Sequence, residues 1–217
     1  MFTGIIQEIG HVSDIHGEGD GINLRIDAPR SAPDLQINES VAVNGVCLTV
    51  VGRNETSFQV QAVEETLLKS SLRHLHPGDP VNLELPVSLH QRLGGHVVLG
   101  HVDRVGIVRR IEPRSTSWMF WVEYPTDMKK YLIPVGSIAI DGVSLTVATI
   151  DRDCVGISII PHTMENTIFR YYKPGSVVNL EFDIIGKYII QFMELKPTEN
   201  DGTKDFLTEK HLRELGF

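Results

Sequence analysis

Three side chains in this sequence sit where they could act on a substrate: His101 within Gly-His-Val-Asp, Cys47 within Asn-Gly-Val-Cys-Leu-Thr-Val, and Ser144 within Asp-Gly-Val-Ser-Leu-Thr-Val. An imidazole titrates near neutrality and can take a proton and return it. A cysteine can add to an electron-poor ring carbon as its thiolate, or line a pocket as a small hydrophobe. A serine hydroxyl can hydrogen-bond a nucleophile or a leaving group. Each also has a plain structural role open to it, since a histidine in an apolar run is often a core residue. His96, in Gly-Gly-His, is left out of the catalytic set.

What must position these residues is an internal repeat. Residues 40–50, SVAVNGVCLTV, match residues 137–147, SIAIDGVSLTV, at an offset of 97, with seven of eleven pairs identical. The same offset carries PGDPVNLEL at 77–85 onto PGSVVNLEF at 174–182, and Glu65-Thr66-Leu67 onto His162-Thr163-Met164. It also sets FTGII at 2–6 beside LGHVD at 99–103, pairing Gly4 with His101 and Ile5 with Val102. The chain is read as two copies of one unit with a seam near 88–97. The expected divisions are an amino-terminal barrel over 1–90, a carboxy-terminal barrel over 91–187, and a helix with a tail over 183–217. Cysteine opposite serine, and glycine opposite histidine, are changes of chemistry inside a preserved frame, as expected of two similar pockets with different tasks.

Both copies read as strands. The segments 40–51 and 137–147 are rich in Val, Ile and Thr around Asn44-Gly45 and Asp141-Gly142, pairs that tolerate the positive φ of a tight hairpin. Further strands are expected at 22–26, 58–62, 81–85, 97–102, 118–123, 155–160 and 177–182, separated by Gly, Pro, Asn and Asp. Many short strands with few helices predict an all-β chain of two small antiparallel barrels. Residues 183–195 differ: Ile184, Ile185, Tyr188, Ile189, Phe192 and Leu195 fall on one helical face. That helix has no counterpart after the first copy, and is expected either to cap its barrel or to bind its equals in other subunits. Residues 197–204 read as a linker and 205–217 as a second short helix.

Composition narrows the function classes. The net charge is −8 and no basic run exceeds Arg109-Arg110 and Lys129-Lys130, which argues against a nucleic-acid partner. No apolar stretch approaches the roughly 18 residues that span a bilayer, and no export signal is legible, so no membrane partner is expected. Two cysteines are too few for a disulfide scaffold or a cysteine-based zinc site, which fits a reducing cytoplasm and suggests no metal. No GxGxxG and no cysteine cluster accompany the barrels, against a flavin domain of an oxidoreductase.

The set MFTGII at the start, VNGVCLTV at 43–50, GGHVVLGHVD at 94–103 and IDGVSLTV at 140–147 resembles the riboflavin synthase family, over Met1 to about Leu195. The resemblance implies two tandem six-stranded Greek-key β-barrels and a C-terminal helix that gathers three subunits into a homotrimer. It also implies the substrate 6,7-dimethyl-8-ribityllumazine in each barrel, and association with lumazine synthase as a further partner. The implied reaction is a dismutation in which one lumazine gives a four-carbon unit to another, yielding riboflavin and a pyrimidinedione with no added cofactor. A duplicated binding unit suits a reaction between two copies of one compound, because aligning two reactants can lower a bimolecular barrier by roughly 7–11 kcal/mol. In the family the reacting pair forms between the amino-terminal barrel of one subunit and the carboxy-terminal barrel of its neighbour.

Carried over by motif, the first pocket is expected to use Gly4, Ile5 and Ile6, then Cys47, Leu48 and Thr49, and the segment Gln61, Ala62, Val63, Glu64, Glu65 and Thr66. The second is expected to use Gly100, His101 and Val102, then Ser144, Leu145 and Thr146, and the segment Ile160, Pro161, His162, Thr163, Met164 and Glu165. Backbone groups at strand edges and the threonine hydroxyls suit the ring edge and the ribityl chain. His101 is expected to transfer the proton, with Ser144 and Cys47 as the other catalytic candidates. One departure stands out: the family often has Lys immediately before the Gly that corresponds to Gly136, and this chain has Val135. The rival reading is a chromophore carrier like the lumazine proteins of luminous bacteria. Those depart from the Gly-His motif and the first-copy cysteine, and this chain keeps Gly100-His101 and Cys47.

Overall fold

The computed structural model describes residues 1–88, 90 and 92–195. The first barrel contains β1 (Glu8–Glu18), β2 (Gly21–Asp27), β3 (Ser40–Val43), β4 (Val46–Arg53), β5 (Ser57–Ala62) and β6 (Pro80–Glu84), closed in the order β1-β2-β5-β4-β3-β6. The second contains β7 (Arg104–Pro113), β8 (Trp118–Glu123), β9 (Ser137–Ile140), β10 (Val143–Ile150), β11 (Cys154–Ile159) and β12 (Val177–Phe182), closed in the equivalent order. All pairings are antiparallel, and closure leaves neither sheet with a free edge.

Period-two patterning explains the cores. Leu24 and Ile26 on β2, Leu48 and Val50 on β4, and Phe58, Val60 and Ala62 on β5 point inward, while alternate residues face out. In the second barrel Phe120 packs edge-on against Phe169, at 5.2 Å between ring centroids, among Val122, Ile138, Ile140, Ile157 and Phe182. Each such side chain contributes about 1.5–3 kcal/mol on burial. Both expected hairpin turns form, with positive φ at Asn44 (47°), Gly45 (73°), Asp141 (44°) and Gly142 (79°).

The two turns meet where the barrels join. Asn82 Nδ2 donates to Asp141 O at 2.9 Å, and Asn179 Nδ2 to Asn44 O at 2.8 Å, so each barrel caps the other's turn in the same way.

Several expectations change. Residues 97–102 form no strand; only Val98 pairs, in a bridge with Phe2. The strand lies later, at β7, and its twin β1 was also not anticipated. Short helices α1 (Glu64–Lys69) and α2 (Pro161–Asn166) follow β5 and β11. The carboxy-terminal helix, α3 (Ile184–Glu194), is capped by the Asp183 side chain, which accepts from Ile185 N at 3.0 Å. Of its residues only Gly186 is buried, so α3 leaves its apolar face open instead of covering its barrel. The linker at 197–204 and the helix at 205–217 lie outside the described residues.

Candidate functional site

Two irregular straps, residues 2–6 and 98–102, precede β1 and β7. They pair once with each other, Phe2 N to Val98 O at 2.7 Å and Val98 N to Phe2 O at 3.1 Å, and then cross to opposite barrels. Gly4 O accepts Ser144 N at 2.8 Å, while Gly100 O accepts Cys47 N at 2.9 Å. Only glycine serves at the crossings. Gly4 and Gly100 have φ of +77° and +80°, and a Cβ would stand 2.5 Å from Ser144 Cβ and 2.6 Å from Cys47 Cβ respectively.

This geometry corrects the expected pairing. Gly4 corresponds to Gly100, so the counterpart of His101 is Ile5, and that of Val102 is Ile6. The straps and the first two strands repeat at 96 residues, as in the equivalent bonds Ala28 N to Thr56 O and Tyr124 N to Asp153 O, whose acceptors already repeat at 97. The extra residue therefore falls in the loop before β9 (125–136) as compared with the loop before β3 (29–39), where Asn38 and Val135 again correspond at 97. The pocket membership is corrected too: Gly4–Ile6 belong beside Ser144, and Gly100–Val102 beside Cys47. The apolar contacts agree, since Ile6 packs on the second core and Val102 on the first.

Beside Cys47 lies a cavity of about 240 Å³ lined by Val46, Cys47, Glu65, Thr66, Lys69, Ser70, Gly100, His101 and Val102. His101 is exposed at this cavity and Cys47 is half-buried. Thr49 stands opposite Gln61 across β4 and β5, both exposed, and Val63 and Glu64 begin α1 in the open. Leu48 and Ala62 have their side chains in the first core, leaving only their backbone for a ligand.

Beside Ser144 the arrangement differs. Ser144 Oγ lies 2.7 Å from His96 Nδ1, an arrangement the sequence reading missed by setting His96 aside. A signal was present in Gly94-Gly95-His96: a Cβ on Gly95 would stand 2.1 Å from Thr3 O, so the glycine lets the chain press against the strap and deliver His96. Burial lowers the His96 pKa, against the smaller opposing pull of the Asp183 carboxylate, and favours the neutral ring. Its Nε2 is buried with no hydrogen-bond partner among the described residues.

On this side a cavity of about 490 Å³ is lined by Ile6, Gln7, Glu8, Ile9, Arg30, His162, Glu165 and Asn166. Ile160 and Pro161 are exposed where α2 begins, and Thr163 is half-buried within it. Leu145 and Met164 pack on the second core, whereas Thr146 is exposed on β10. Val135 is 80% exposed at φ 63°, a conformation that β-branched residues rarely adopt.

Residues 3–86 and 99–183 each match the lumazine binding domain family. The chain is 42% identical over 217 residues to the riboflavin synthase of Actinobacillus pleuropneumoniae, covering the whole of both chains. It is 38% identical over 197 residues to that of Schizosaccharomyces pombe, covering 89% of this chain and 94% of the other. Among solved structures, LumP complexed with riboflavin superposes with a TM-score of 0.79 at 25% identity, over 84% of this chain and 99% of that one.

Proposed function

This chain belongs to the riboflavin synthase family, with two lumazine binding domains in tandem, and from that premise we propose that it joins two molecules of 6,7-dimethyl-8-ribityllumazine. One molecule surrenders a four-carbon unit to the other, giving riboflavin and 5-amino-6-ribitylamino-pyrimidinedione. Two lumazines equal the two products atom for atom, so the transfer needs no oxidant or reductant.

The observation that carries this reading is the crossing of the straps. It sets unlike polar groups at equivalent places in the repeated frame, Cys47 with His101 beside a cavity and Ser144 with His96 at the other crossing. Two identical substrates that must play different parts need such a pair. His101, at the open edge of the first pocket, takes and returns the proton of a lumazine methyl group. Cys47 lines that pocket and gives polar assistance. Ser144, held by His96, hydrogen-bonds the nucleophile or leaving group at the second ring. Thr49, Gln61 and Thr66 on one side, and Thr146 and Thr163 on the other, hold the ribityl chains, with Glu65, His162 and Glu165 at the pocket mouths.

The working division is a barrel over 1–90, a barrel over 91–187 and a helical end over 183–217. The reacting pair assembles between barrels of neighbouring subunits in a cytoplasmic homotrimer. The apolar face of α3 supports the oligomer: Ile185, Tyr188, Ile189 and Phe192 are 60%, 71%, 54% and 81% exposed. Lumazine synthase is a partner on the same reading, as the enzyme class that supplies the substrate.

The test is turnover of purified protein with lumazine alone, compared with His101→Ala. The proposal requires riboflavin to appear without added cofactor, and the variant to bind lumazine but lose at least tenfold in kcat. An unchanged kcat in the variant would remove His101 from the mechanism.

A further inference from the structure

We propose that Glu84 and Glu181 are positioning residues, each rooted in one barrel and setting the strap that completes the pocket of the other. Their part in catalysis rests on the function proposed above; their part in placing the straps does not.

Glu84 lies on β6 and Glu181 on β12, 1% and 4% exposed. Glu84 Oε1 accepts Thr3 N and Thr3 Oγ1, both at 2.7 Å, and its Oε2 accepts Gly4 N at 3.0 Å. Glu181 Oε1 accepts Leu99 N at 2.7 Å and its Oε2 accepts Gly100 N at 3.0 Å. The glycine held in each case is the one whose carbonyl crosses the barrel boundary, to Ser144 N or to Cys47 N. Each carboxylate thus fixes the donor side of a glycine whose acceptor side closes the opposite pocket.

A buried carboxylate is a costly way to hold a strap unless its geometry is needed. Two successive N–H groups in a left-handed bend point at one place, and a carboxylate offers two acceptor oxygens there where a strand carbonyl offers one. Burial raises the pKa of both groups, and the strap N–H donors pull it back.

The two anchors differ in what surrounds them. Beside Glu181, Asp103 accepts Phe182 N at 2.9 Å and pairs with Lys187 of α3 at 2.5 Å. Beside Glu84 the equivalent position is Gln7, whose neutral Oε1 accepts Leu85 N at 2.8 Å. The strap that carries His101 is therefore tied through charge to α3, and the strap that carries Ile5 is not.

The crossing gives an outcome that a merely local structural role would not. Glu181→Gln keeps size and one acceptor but turns an amide N–H toward a strap N–H. In the full-length protein it should accelerate alkylation of Cys47, in the other barrel, at least tenfold, with Cys154 as internal reference. Hydrogen exchange should rise at residues 98–103 and 46–48. Glu84→Gln should instead raise exchange at residues 2–6 and 143–145 and leave Cys47 alkylation unchanged. Both should lower kcat at least tenfold. Should Glu181→Gln fail to fold, Lys187→Met removes only the neighbouring cation, and a two- to threefold faster Cys47 alkylation is expected. Changes confined to each glutamate's own barrel, or an unaltered Cys47 rate, would overturn the proposal. Alkylation and exchange need no turnover, so an inactive wild type would sink the proposed reaction and leave this inference to be judged on its own data.

Discussion

His96 Nδ1 and Ser144 Oγ lie 2.7 Å apart, and the backbone N–H groups of the two residues bond successive carbonyls of one strap, Thr3 O and Gly4 O. With the serine hydroxyl donating to Nδ1, the ring carries its proton on Nε2, which is buried with no acceptor among the described residues.

Burial lowers the pKa of His96 from the ordinary 6.5, so the ring is neutral at pH 7 and the hydroxyl can donate to it. Protonation removes that acceptor. Protonation of His96 should therefore steepen the acid limb of kcat below pH 6.5, beside the part due to the base His101, and His96→Ala should make that limb shallower and lower kcat by about 10²-fold. The unfolded chain takes up this proton at about pH 6.5, before the folded chain does, so His96 also costs stability as pH falls through that range. A pH profile of kcat for both proteins checks this, and a limb equally steep in the variant belongs to another group.

Asp141 is buried, with its carboxyl pushed up to about 7 by burial, against hydrogen bonds from the Tyr172 hydroxyl and Asn179 N. The folded chain holds this proton where the unfolded chain, with an ordinary value of 3.8, has lost it. The residue's contribution to stability thus declines as pH rises from about 3.8 to about 7, and is level above. Asn44 fills the equivalent turn, bonding Asn82 N at 2.7 Å, so the frame accepts an amide. Asp141→Asn should be more stable than wild type at pH 8, by on the order of 3–4 kcal/mol, and nearly equal at pH 4. Thermal melts at the two pH values measure the difference; parallel shifts would refute it.

Val135 adopts φ 63° where its counterpart Asn38 has 72°, and asparagine tolerates that region far better than valine. Val135→Asn should gain about 1 kcal/mol, or roughly 2–4 °C in Tm for a chain of this size. Val135→Lys, which supplies the cation usual in the family, should tighten lumazine binding in a fluorescence titration. Equal affinity would mean that the second pocket needs no cation there.

Ile185, Tyr188, Ile189 and Phe192 fall three and four residues apart on α3, so a charge among them meets any partner helix directly. If the proposed trimer forms through this face, Phe192→Asp should yield monomer in sedimentation velocity and cut turnover more than tenfold, with each monomer still binding lumazine. Full activity in a monomeric variant would place both reacting pockets within one chain.

The hairpins at 40–51 and 137–147 were legible because Val, Ile and Thr flank a turn dipeptide and the same pattern occurs twice. The α3 face was legible because its apolar spacing is helical. β1 and β7 were not, because Gly10, His11, Gly106, Arg109 and Arg110 break their apolar alternation on faces exposed or packed closely against neighbouring strands. The second strap reads as strand in sequence because Val97, Val98 and Val102 look like one, whereas Gly100 bends the backbone and Glu181 takes the N–H groups of Leu99 and Gly100. The exchange of pockets was hidden by a single-residue difference in loop length, which moves every pairing upstream by one. The partners of His96, Glu84 and Glu181 lie 48 to 82 residues away, beyond the reach of local pattern.

The most direct measurement is product stoichiometry: purified protein incubated with 6,7-dimethyl-8-ribityllumazine alone, with both products quantified by chromatography. One riboflavin and one pyrimidinedione are expected for every two lumazines consumed. Lumazine bound tightly and recovered unchanged would contradict this, and would make this chain a carrier of the chromophore.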